Sequence, residues 1–145
     1  MATIGMLAVV GYFAIGAARQ YLIARITLRE ATATVKAKEY VRFDETNHTY
    51  LDDDGRRIEV SPGEQQWRVY YQIDHFNNLD EATRGRLLRS EEERSAAGRL
   101  RFRNKSKEWY EQIETGDQLR VLYQWRGGDS IDVAYVENPK SPNLQ

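Results

Sequence analysis

The sequence predicts an α+β, mainly β protein: an N-terminal single transmembrane helix followed by a small antiparallel sheet or open barrel with one or two short helices. Three observations predict it. Residues 2–18 (ATIGMLAVVGYFAIGAA) carry no charged side chain. From residue 31 onward the apolar positions alternate with polar ones, as they do in strands with one buried face. Turn dipeptides such as Asp54-Gly55 and Gly127-Gly128 punctuate these alternating runs. A chain of 145 residues has room for one such domain and no second. The division predicted is an anchor helix with its juxtamembrane turn over residues 1–29, a β-rich soluble domain over 30–139 and an irregular tail over 140–145.

The anchor extends past Arg19 through QYLIA to residue 24, and at 1.5 Å rise per residue residues 2–24 span about 34 Å, enough for a hydrocarbon layer of ~30 Å if Arg19 snorkels. A cleaved signal peptide fits less well, because no Lys or Arg precedes the apolar run. A buried core helix is the competing reading, but so small a domain has little interior in which to hide one. Arg19, Arg25, Arg29, Lys36 and Lys38 all follow the run, so the positive-inside rule puts the C-terminal domain in the cytoplasm, on a single-pass protein of the cell inner membrane. Gly5, Gly11 and Gly16, with Ala14 and Ala18 four apart, leave a flank where another helix can approach closely.

The helix is expected to continue through residues 26–29. Residues 31–43 (ATATVKAKEYVRF) then alternate, with Ala33, Val35, Ala37, Val41 and Phe43 on the inner row and a bulge or emergence into water at Glu39. A hairpin follows over 48–51 and 56–60, turning at 52–55 and ended by Ser61-Pro62-Gly63. Residues 67–73 (WRVYYQI) form the clearest strand, with Trp67, Val69, Tyr71 and Ile73 facing one way. Residues 79–98 read as a surface helix or partly mobile excursion, with Asp80 as N-cap, Leu87 and Leu88 as its only large apolar residues and Gly85 weakening it. A strand over 100–103, a short helix over 107–115 capped by Ser106 and closed by Gly116, and a last hairpin of 118–125 with 131–137 complete the domain.

This string of features resembles a widespread bacterial family of uncharacterised membrane-anchored small β-barrel domains. The residues that carry the likeness are the ATATV strand, the hairpin turning at Asp54-Gly55, the VYYQI strand, and Thr115-Gly116-Asp117 leading into Val121 and Tyr123. Here Pro139 follows only after a further strand, no second membrane segment follows the domain, and residues 79–98 are inserted. The resemblance implies the fold and no particular activity.

Composition excludes several chemistries. No cysteine is present, so disulfides, thiolate metal sites and cysteine nucleophiles are out. The part after residue 29 holds 18 basic and 22 acidic residues, a net −4 that argues against a nucleic-acid partner. Asp52, Asp53 and Asp54 before Gly55 do not match a calcium loop, because Tyr50 and Ser61 stand where ligands are required. His48 (with Asp44 and Glu45 nearby) and His75 (beside Asp74) are the only histidines, too few for a zinc site without converging carboxylates. Neither a nucleophile elbow nor a phosphate loop occurs, and no cofactor is called for.

The most informative stretch is residues 99–107, RLRFRNKSK, with Arg99, Arg101, Arg103, Lys105 and Lys107 at every second position. An extended chain lines these charges along one face, a geometry suited to anionic headgroups or another polyanion, with the juxtamembrane Arg19, Arg25 and Arg29 adding to it. The competing reading is a solvated face, or a sheet edge protected by charge, with Glu91, Glu92 and Glu93 or neighbouring strands as partners of the cations. Of the aromatics, Trp67, Tyr71, Tyr123 and Trp125 are expected in the core and Tyr70 and Tyr110 at the surface, where protein contact is the natural use. The expected function is a membrane-tethered, non-enzymatic interaction or accessory module. Its partners are membrane lipid and a membrane protein or a second copy, with contacts through Gly11, Ala14, Ala18, Tyr70 and Tyr110. Binding of anionic lipid or polyanion through the 99–107 stripe is the alternative.

Overall fold

The computed structural model describes residues 28–52 and 55–140. Five strands form one antiparallel sheet: β1 (Arg29–Arg42), β4 (Gln65–Phe76), β5 (Arg101–Lys105), β6 (Gln118–Gly127) and β7 (Ser130–Glu137), in the order β5-β4-β1-β6-β7. A separate hairpin pairs β2 (His48–Leu51) with β3 (Arg57–Val60). Helix α1 (Glu81–Ala96) joins β4 to β5, and α2 (Lys107–Gln112) joins β5 to β6. The sheet curls into a nearly closed barrel. Bulges at Lys36 in β1, Asp74 in β4 and Ala134 in β7 help it curl, each adding a residue on one strand and increasing the local twist.

The long central strand explains the tight curl. Ala31, Ala33 and Val35 of β1 are buried and small, leaving the interior to Tyr71 and Ile73 of β4 and Leu119, Val121 and Tyr123 of β6. Phe76 meets Tyr123 edge to face, ring centroids 5.3 Å apart. The anticipated inner row fails at residue 37, because the bulge falls at Lys36 and not at Glu39. At that point β1 leaves β6: Val35 closes the turn before β6, exchanging main-chain bonds with Gly116 and Asp117. Ala37 therefore turns out and Lys38 turns in, its ammonium lying 4.2 Å from the centre of the Tyr110 ring and donating to the Ile113 carbonyl at 2.7 Å.

Both helices begin where their caps are. The Asp80 carboxylate accepts from the Thr83 N–H at 3.0 Å, and the Ser106 hydroxyl from the Trp109 N–H at 3.2 Å. Helix α1 buries one narrow stripe, Thr83, Leu87 and Glu91, and ends at Gly98, whose φ of 73° is one that L side chains avoid. Helix α2 stops at Gln112, short of the expected residue 115, and drives Trp109 and then Ile113 into the core. At its other boundary the domain begins earlier than the helical reading of residues 26–29 allowed: Arg29 is already in β1, paired with Tyr123 of β6.

Hairpin β2–β3 lies against the outer surface of β4 and β5. Between its strands Gly55 stands at φ 81°, and the Asp52 side chain accepts from the Arg56 N–H at 2.8 Å. The anchor reading falls on residues 1–27, outside the described residues; within the described residues no helix is long and apolar enough to cross a membrane.

Candidate functional site

Strand β5 places Arg101, Arg103 and Lys105 on the inner side of the sheet, opposite Tyr71, Val69 and Trp67 of β4. An apolar interior tolerates cationic heads only when each finds a partner, and here each does. Arg101, buried, makes a forked pair with the buried carboxylate of Glu91: Nε lies 3.1 Å from both oxygens and Nη2 lies 2.9 Å from Oε1. Arg103 Nη2 donates to the Val133 carbonyl of β7. Lys105 Nζ donates to the Val136 carbonyl of β7 at 2.7 Å and sits 4.7 Å from the centre of the Trp109 ring. Burial, and secondarily the charge of Arg103, bring the Lys105 ammonium down to about 8, with Glu137 acting in the opposite direction.

These bonds define a seam. β5 and β7 are the two edges of the sheet and are not paired with each other. Two carbonyls of β7 that a neighbouring strand would otherwise bond are satisfied by side chains reaching across from β5. Inward-pointing charge on an edge strand is one way a protein keeps that edge from pairing indiscriminately. The seam opens into a cleft of about 430 Å³ beneath the hairpin, whose lining includes Phe102, Arg103 and Asn104 of β5, Asp132 and Val133 of β7, and Tyr50 and Ile58 of the hairpin.

The roof of this cleft is held by an arginine set among aromatic rings. The Arg68 guanidinium lies 4.8 Å from the ring centre of Tyr50, 5.3 Å from Phe102 and 5.9 Å from Phe43, with Glu39 at 3.5 Å. Asn104 and Gln66 both donate to the Tyr50 hydroxyl, at 3.2 and 3.4 Å. A second, more apolar cleft of about 560 Å³ runs between the hairpin and the end of α1, past Leu51, Tyr70, Leu100 and Arg99. Leu51, 67% exposed, stands at its mouth.

Of the basic stripe, Arg101 is buried, Arg103 and Lys105 are half-buried and the two ends are exposed. Arg99 is exposed, and Lys107 pairs loosely with Glu111 at 4.0 Å on the surface of α2. Arg29 lies 5.7 Å from the centre of the Trp125 ring. Tyr70 is half-buried against Phe102, and Tyr110 is half-buried beneath Lys38. Arg19, Arg25, Gly11, Ala14 and Ala18 lie outside the described residues. His48 and Asp44 do converge, at 2.7 Å, in a loop where hydrogen bonds from the Thr46 hydroxyl and N–H, and then from His48, hold the Asp44 carboxyl at about 2. His75 is far along β4, opposite Thr32. Among the described residues no three His, Cys, Asp or Glu side chains are grouped to hold a metal ion.

Arg68 and Glu137 are contributors that the sequence reading passed over, whereas Glu91, one of the three acidic residues 91–93 offered as partners of the stripe, pairs with Arg101. Of residues 91–93, Glu91 is the one that turns inward, standing eight residues after Thr83 and four after Leu87 on one helical face. Arg68 alternates with Tyr70 on the outer row of β4, and only the hairpin's placement gives it a role. Glu137, buried at the end of β7 with Arg120 at 3.8 Å, left no signal.

Fold and site together define a small antiparallel barrel closed by side chains along one seam. Comparison with protein-family models, with curated proteins and with solved structures finds no match.

Proposed function

We propose that this chain is a non-enzymatic docking module, tethered to a membrane by its N-terminal apolar segment, that engages a partner protein along the β5–β7 seam. One observation carries this reading: β5 and β7 are edges that do not pair with each other, and the Arg103 and Lys105 side chains reach across from one to main-chain carbonyls of the other. Such edges are the surfaces on which proteins add a foreign strand. The tether rests on residues 2–24 and their length in a helix. With β1 starting at Arg29, few residues separate that segment from the barrel, which holds the domain close to the bilayer. The positive flank after the apolar run favours a cytoplasmic domain, on a single-pass protein of the inner membrane.

The test is fractionation of the full chain. It should stay with membranes through high salt and alkaline washing, and in mild detergent should migrate well above its 16.9 kDa together with a stoichiometric membrane protein. Release by washing would remove the tether. A lone monomer in detergent would remove the docking role.

A further inference from the structure

The seam carries a pattern that specifies what can enter it. Ala134 is bulged out of the β7 ladder, so Val133 and Val136 stand opposite Tyr123 and Val121 of β6, two residues apart in register although three apart in sequence. Their carbonyls, both bonded from the β5 side, thus have the spacing at which one strand offers successive N–H groups to an edge. Across the gap, Arg103 and Lys105 are also two residues apart and on one face of β5, the repeat at which a strand presents side chains to one side.

Each cation is bonded to a neutral carbonyl, although a carboxylate is the better partner for it. Glu137 acts on Lys105 by its charge but has Arg120 at 3.8 Å, and the other carboxylates near the seam are engaged elsewhere. Asp132 is taken by Arg126 at 2.6 Å, Asp52 accepts from the Arg56 N–H at 2.8 Å, and Glu91 is taken by Arg101. Arg103 and Lys105 therefore hold the edge in a bonding state that can be exchanged.

We propose that the seam receives one extended segment of a partner protein bearing carboxylates at alternate positions. Its main-chain N–H groups bond the Val133 and Val136 carbonyls while its carboxylates draw off Arg103 and Lys105. The exchange conserves hydrogen bonds: two carbonyls pass from side-chain donors to main-chain donors, and two cations pass from carbonyls to carboxylates. The outer side chains of the segment lie under the hairpin, against Tyr50, Ile58 and Phe102. This inference rests on the docking reading and names the chemistry of the partner.

The experiment uses the full chain in mild detergent and a short synthetic peptide alternating Val and Glu. Controls are the Val-Lys and Val-Gln peptides and a Val-Glu peptide N-methylated at alternate residues. Binding is read by fluorescence, since Lys105 leaves the face of Trp109, and by hydrogen exchange resolved to single amides. The Val-Glu peptide should bind at least tenfold tighter than the Val-Lys or Val-Gln peptide and slow exchange along β5 and β7. Arg103→Gln and Lys105→Gln should each weaken it about tenfold, and N-methylation should abolish it with the protein untouched, so a variant that folds poorly does not decide the matter.

Equal binding of Val-Glu and Val-Lys peptides, or full retention after N-methylation, would overturn the proposal. So would displacement of the peptide by vesicles of anionic lipid alone, which would mark the seam as a reader of charge and not of strands. If no peptide binds while the chain still migrates with a membrane partner, this inference falls and the docking reading stands.

Discussion

Replacing Arg101 with alanine should be among the most damaging single changes in the barrel. The guanidinium and the Glu91 carboxylate are 9% and 5% exposed, and their fork has three N–O distances between 2.9 and 3.1 Å. Truncating Arg101 leaves a buried carboxylate with no cation, and breaking a buried pair from one side costs about 3–5 kcal/mol. A domain of this size has roughly 5–15 kcal/mol in all, so the melting temperature should fall by on the order of 10–20 °C. Glu91→Ala should cost a similar amount, because it strands the guanidinium. The double variant Glu91→Leu with Arg101→Met keeps the volume and removes both charges, and should recover most of the loss or exceed the parent. Urea unfolding of the parent, the two single variants and the double variant gives the coupling directly. If each single change costs under ~1 kcal/mol, the range of solvent-exposed pairs, water reaches the pair and the reasoning about the interior of the seam is wrong.

Four further outcomes follow from the same geometry. Lys105 has a folded value near 8, below its usual 10.5, so between those values the unfolded chain binds more protons and stability should rise with pH. Urea midpoints should show this in the parent and lose it in Lys105→Met, while above pH 10 burial of the Tyr123 phenol, which raises its pKa, should turn the curve down. Asp80→Ala removes the cap of α1 and should cost about 1 kcal/mol by urea unfolding, with Asp80→Ser recovering most of it. Arg68→Ala should loosen the hairpin, speeding hydrogen exchange through residues 48–60 at least tenfold while β1 and β6 remain protected. In flotation with anionic liposomes, Arg99→Glu with Lys107→Glu should change binding little, because these two exposed ends do not form the five-charge face that lipid binding by the stripe needs; a large loss would return the stripe to the role of a lipid contact.

Much of the strand pattern was legible because β1, β4, β6 and β7 each carry buried apolar residues on one face. The run Val69, Tyr71, Ile73 and the hairpin of β6 with β7 follow from alternation alone, and Asp80 and Ser106 cap the helices the spacing called for. Bulges were not legible. The one at Lys36 depends on where β1 parts from β6, a tertiary fact, and it inverts every residue after it. The basic stripe was seen, but alternation states only that five charges share a face. Which side of the sheet that face becomes is set by β4, whose Val69 and Tyr71 point inward opposite Arg103 and Arg101. Lysine and arginine could turn inward there because Glu91, two β7 carbonyls and an indole stand within reach, and three of those partners lie 10 to 31 residues away in sequence.

Amide hydrogen exchange, resolved residue by residue on the full chain without a partner, tests the open seam most directly. The amides of β5 and β7 that face each other across the gap should exchange orders of magnitude faster than those shared by β1 with β4 and β6, because no strand bonds them. Uniform protection around all five strands would mean that β5 and β7 are joined through their main chains, leaving no edge for a partner to occupy.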